Sequence, residues 1–152
     1  MHASYEQPEY RYARIADLGG IPPAAAGDPA EWIPVRHRLG VTAFGVNAFA
    51  GHAVGDLVVE RHDEAGDDDD EPGHQELYVV VSGELDFRVG EDRFRAVAGD
   101  AVFLRDPALE REAHAAVVPA LVLAVGAAEG VTFAPSAWEA RELASRDARD
   151  DR

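Results

Sequence analysis

Three times between residues 76 and 104 a short strand-like run closes on a glycine turn, and this rhythm constrains the fold more than any other feature. Residues 76–82 (ELYVVVS) are rich in β-branched and aromatic side chains and stop at Gly83. Residues 84–89 alternate, with Leu85, Phe87 and Val89 on one face. Gly90-Glu91 suits a two-residue hairpin turn, after which residues 93–97 return. Gly99-Asp100 forms a further turn before the short apolar strand 101–104. Upstream, residues 32–39 alternate (Val35, His37 and Leu39 against Arg36 and Arg38) and are expected to form a strand. Residues 41–49 form a second, with Phe44, Val46 and Ala48 on one face, and 57–61 a third, after a turn at 51–55. Residues 121–125 read as a buried strand ending at Gly126. Ser136 with Glu139 three residues on is a capping box, predicting a helix to about Ala148 that docks through Trp138 and Leu143 and frays from Asp147. Many short strands and one terminal helix predict an all-β barrel or sandwich. The division expected is an N-terminal extension over 1–31, a barrel over 32–135, and a helix with its tail over 136–152.

Chemistry concentrates where residues 57–62 and 76–82 begin or end. His62 and Glu64 share a face by the period of two, as do His74, Glu76, Tyr78 and Val80 if the strand reaches back to His74. Leu77, Val79 and Val81 fill the other face, so this strand is expected to be covered on both sides. Two neighbouring strands each presenting a His/Glu pair offer imidazole and carboxylate donors that zinc, iron, manganese and nickel accept. Between the pairs, residues 67–71 are all acidic and predict a solvated loop without the spacing of a calcium site. His37 and His52 read as packed or solvated histidines rather than ligands.

Composition closes off other chemistries. The chain has 152 residues, enough for one domain with a real core. It has no cysteine, which removes disulfides, thiolate nucleophiles and sulfur-ligated metals. All 14 basic residues are arginine, so no lysine can form a Schiff base or a phosphate-loop contact. No serine lies in a nucleophile-elbow context. A formal charge of -15 argues against nucleic acid and anionic membrane as partners. The first ten residues lack the pattern of a secretory signal, and a cytoplasmic location is the expectation.

In this order, and with this strand rhythm, the chain resembles the cupin superfamily, small double-stranded β-helix (jelly-roll) barrels defined by two motifs. In the first, G(X)5HXH(X)3-4E(X)6G, Glu76 stands six intervening residues before Gly83, as required. His62 follows Gly55 after six residues, and Glu64 takes the second histidine's place. In the second, G(X)5PXG(X)2H(X)3N, counted from Gly99, Glu110 holds the histidine's place and His114 the asparagine's. If that segment is extended, Glu110, Glu112 and His114 share a face. The chain also resembles a branch of small cupins to which no reaction is assigned. The shared segments are Trp-x-Pro-Val-Arg at 32–36, Ala-Phe-Gly-x-Asn at 43–47 and Pro-Ser-Ala-Trp-Glu at 135–139.

The resemblance implies a cupin-type jelly-roll barrel with a pocket at its mouth. One expectation is an enzyme dependent on a divalent metal (Zn, Fe, Mn or Ni), with His62, Glu64, His74 and Glu76 as ligands and His114 as an outside candidate. Tyr78 would then be a catalytic proton donor and Glu110 a pocket residue. The alternatives are a metal-free cupin binding a small-molecule ligand, as sensor or carrier, and a structural protein without catalysis; a homodimer is the family's expectation.

Overall fold

A computed structural model describes residues 8–66 and 73–150, and residues 145–150 by their backbone alone. The strands are β1 (Glu31–Ile33), β2 (Gly45–Gly51), β3 (Leu57–His62), β4 (Gln75–Val89), β5 (Asp92–Val97), β6 (Ala101–Leu104) and β7 (Arg111–Ala127). Helix α1 (Val35–Leu39) follows β1, and α2 (Ala137–Asp150) follows β7. All pairings are antiparallel. The acidic run at 67–71 and the N-terminal residues 1–7 lie outside the described residues.

Two long strands, β4 and β7, build the barrel by pairing with different neighbours along their two halves. The first half of β4 pairs with β6 and with the second half of β7, which also pairs with β2. The second half of β4 pairs with β5 and with the first half of β7, which also pairs with β3. Pairing between β4 and β7 slips at three places between Val80 and Leu85. There the inward set changes parity, from Tyr78 and Val80 to Leu85 and Phe87, because each bulge adds a residue and turns the next side chain over. In β7 the buried set changes likewise, from Ala113 and Ala115 to Ala120, Val122 and Ala124. Gly83 sits at the bend with φ of 68°, and a Cβ there would run into the carbonyl of Val117. Only glycine meets both demands without strain. What reads in sequence as two strands broken at Gly83 is thus one bent strand.

The interior holds Val58, Val59, Tyr78, Val80, Leu85, Phe87 and Leu104 against the small residues of β7. Burying each such large side chain contributes about 1.5–3 kcal/mol. A second apolar cluster lies on the outer face, where Val46 and Ala48 pack with Ile33 and Val35. Ile15 and Leu18 of the N-terminal segment cover it.

Three expectations are corrected. Residues 35–39 are helical, not extended. Val35 and Leu39 lie four apart, a spacing that falls on one face of a helix as well as of a strand. Pro34 precedes the helix, and Gly40 closes it in the left-handed conformation. Phe44 precedes β2 and is exposed. The outer face of β4 is uncovered, with Leu77, Val81 and the neighbouring Phe103 exposed at 36%, 45% and 49%. Helix α2 begins as expected, with the Ser136 hydroxyl accepting the Glu139 N–H at 3.1 Å, and continues to Asp150. Trp138 docks on Trp32 with ring centroids 4.6 Å apart.

Candidate functional site

β3 and β4 deliver their polar ends to one mouth of the barrel, around a cavity of about 250 Å³. Glu60, His62, Glu64, His74, Glu76 and Tyr78 all line it. The period of two that joins His62 to Glu64 also joins Glu60, which could have been found by the same reading. Glu64 lies beyond the end of β3 and is fixed by its backbone. Its N–H donates to the Pro107 carbonyl at 2.8 Å, and its carbonyl accepts the His74 N–H at 3.0 Å.

Three side chains converge. One donor atom each from His62, Glu64 and Glu76 lies within 4.8 Å of the other two. His62 Nδ1 is 2.6 Å from the Glu60 carbonyl, a partner that can only accept, so Nδ1 carries a proton. His62 Nε2 faces Glu64 Oε1 at 3.0 Å. In the neutral ring this places a lone pair against a carboxylate oxygen, which requires a proton or another cation between them. Burial disfavours the charged imidazole, but hydrogen bonds to Glu64 and Glu60 and the charges of Glu64 and Glu76 outweigh it, so the His62 pKa is raised.

Glu76 opens β4 beside Gly126, its register partner on β7, where a Cβ would come within 3.7 Å of Glu76 Oε2. Burial and the Glu64 charge raise the Glu76 pKa, against the opposing pull of Tyr78, His62 and Arg111. Tyr78 lies beneath, 1% exposed, and its hydroxyl can donate to the Glu76 carboxylate. Burial and the Glu76 charge push the Tyr78 pKa well above 10, so the hydroxyl keeps its proton. Behind Glu76 lies Arg111, fully buried, with NH1 3.9 Å from Glu76 Oε1. None of the three Arg111 guanidinium nitrogens, nor Glu76 Oε1, has a hydrogen-bond partner among the described residues.

His74 lines the cavity but is not among the three converging side chains. Two other sequence candidates lie elsewhere. His114 and Glu112 form a pair at 3.5 Å on the face of β7 opposite the buried Arg111, Ala113 and Ala115, so His114 points away from the cavity. Glu110 is a partly exposed residue outside the cavity, engaged by Arg61 at 2.6 Å and Arg88 at 3.2 Å. The expectation that residues 110, 112 and 114 project together fails to reach the mouth because the inward parity of this half of β7 belongs to Arg111. The cavity has a further wall that the sequence candidates do not include, lined by Asn47, Phe49, Phe133, Trp138 and Glu139. Asn47 and Phe49 alternate with the outward Val46 and Ala48, a usable signal; Phe133 and Trp138 arrive through tertiary packing and leave none.

No family model matches the sequence, and no curated protein matches it. Solved structures resemble it in fold. A cupin protein from Bacteroides fragilis superposes with a TM-score of 0.55 at 17% identity, covering 85% of this chain and 92% of that one. An uncharacterized conserved protein with a double-stranded beta-helix domain, from Klebsiella pneumoniae, gives 0.56 at 19%, covering 83% and 96%. A predicted oxalate decarboxylase from Thermotoga maritima gives 0.59 at 16%, covering 78% and 99%. The chain therefore has the cupin fold, and the converging acids and imidazole occupy the mouth of that barrel.

Proposed function

We propose that this cupin-fold protein holds a divalent metal ion through His62, Glu64 and Glu76 and acts with it on a small molecule in the adjoining cavity. The observation that supports this most is the His62 tautomer. Its Nδ1 is committed to the Glu60 carbonyl, leaving the Nε2 lone pair aimed at a carboxylate, an arrangement that a cation relieves. One imidazole and two carboxylates form a donor set suited to zinc, iron or manganese, with nickel admissible. A bound ion would supply Lewis acidity toward a substrate oxygen. The chain's own residues do the rest. The Glu60 carbonyl fixes the imidazole, Tyr78 donates to Glu76 or to a bound molecule, and Phe49, Phe133 and Trp138 wall the cavity against bulk water.

A second reading draws on the same 3.0 Å contact: a metal-free binding protein in which a protonated His62 pairs with Glu64. Elemental analysis of protein purified without a metal-affinity step separates the two. The metal reading predicts stoichiometric metal that is lost in the His62→Ala, Glu76→Gln double variant. It also predicts a thermal midpoint raised by added ion, since occupancy at 100 times Kd stabilises by about 2.7 kcal/mol. Metal-free protein indifferent to divalent ions would leave the second reading.

A further inference from the structure

The walls of the mouth cavity carry an imbalance of charge that selects its occupant. Glu60, Asp63, Glu64, Glu76 and Glu139 line it with His62 and His74, and among the described residues no arginine does; the chain contains no lysine. Some of this charge is already matched. Glu139 accepts a 2.9 Å hydrogen bond from Arg36, both side chains being largely buried. Glu64 and Glu76 belong to the proposed metal site. Arg111, the guanidinium nearest Glu76, stands behind that carboxylate and does not line the cavity. Arg141 lines only the adjoining outer groove.

Glu60 and Asp63 remain. No arginine among the described residues pairs with either. Among the described residues Asp63 accepts the Ala65 N–H, at 3.0 Å, in a local turn. Glu60 lines the cavity from β3 and is half-buried. The opposite wall is aromatic: Phe49, Phe133 and Trp138. Gly45 makes room for it, since a Cβ there would come within 3.3 Å of the Phe133 ring. An aromatic face attracts a cation through its quadrupole, and the carboxylates facing the cavity attract it through charge. The same field repels anions.

We infer that the cavity takes a small organic cation, an ammonium held by Glu60 and Asp63 and packed against the Phe49–Phe133–Trp138 wall. This rests on the mouth cavity being the functional site, as proposed above. A volume of about 250 Å³ restricts the ligand to a few heavy atoms.

The test uses two isosteric series on the full chain, with and without bound metal. One is choline, 3,3-dimethylbutan-1-ol and 3,3-dimethylbutanoate; the other is butylammonium, butan-1-ol and butanoate. Calorimetry is expected to show at least one cation binding about tenfold or more tighter than its neutral isostere, with no binding of its anion. Raising salt should weaken the cation more than the alcohol. Glu60→Gln, which keeps the backbone carbonyl that His62 uses, should remove most of that preference. An anion that binds as well as its cation, no cation binding at all, or a preference untouched in Glu60→Gln would overturn the inference. The two proposals fail separately. Protein that takes up no metal yet keeps the cation preference ends the metal reading alone, whereas metal-loaded protein that prefers anions ends this one alone.

Discussion

Arg111 is buried 3.9 Å from Glu76 Oε1, with no hydrogen bond between the two side chains. At that distance their charges compensate through a medium poor in water, so removing one strands the other. Arg111→Met is expected to destabilise the protein by about 3 kcal/mol. In a Glu76→Gln background the same change should cost at least about 1 kcal/mol less, because the stranded charge is gone. Chemical denaturation of the four-member cycle checks this, and additive costs would show that the two groups do not interact. At this scale the sequence was informative for His62, Glu64 and Glu76, whose parity on two strands puts them on one side. It misled at His114 and Glu110, because parity within a strand says nothing about which parity faces in. Arg111, a charged residue in an alternating run, gave no sign of being the inward one.

Among elements, the turn between β2 and β3 depends on one acid. Asp56 Oδ2 accepts the N–H groups of His52 and Ala53, each at 2.9 Å. Those backbone bonds hold its pKa below the ordinary value of 3.8. A carboxyl with a depressed folded-state pKa contributes stability that is present above its unfolded pKa and lost as pH falls through the folded one. Parent and Asp56→Asn should therefore differ in stability at neutral pH, and the gap should narrow below about pH 4. Urea titrations at a series of pH values measure it; a gap constant down to pH 2 would assign the turn's stability elsewhere. Strand existence was legible through glycine and alternation, and β5 and β6 fall where residues 93–97 and 101–104 were read. Continuity was not. The unity of β4 across Gly83 and the length of β7 through Pro119 depend on bulges that pairing creates, and a local pattern records those only as interruptions.

Over the whole molecule, the N-terminal segment covers the outer apolar face of β2 but leaves Leu77, Val81 and Phe103 in solvent. We propose that the homodimer expected from the family resemblance would form through this exposed apolar surface. Light scattering on the parent should give twice the chain mass of 16.3 kDa, and Leu77→Glu with Phe103→Glu should return it to one chain. A dimer that survives both substitutions uses another face. Among the described residues no helix is long and apolar enough to cross a membrane.

The metal centre is tested most directly by anomalous scattering from crystals grown with manganese, iron or zinc and measured across that metal's absorption edge. One peak is expected, about 2.0–2.2 Å from His62 Nε2 and from an oxygen of each of Glu64 and Glu76. A peak only at His114 and Glu112, or no peak at saturating ion, would contradict the metal centre proposed at the barrel mouth.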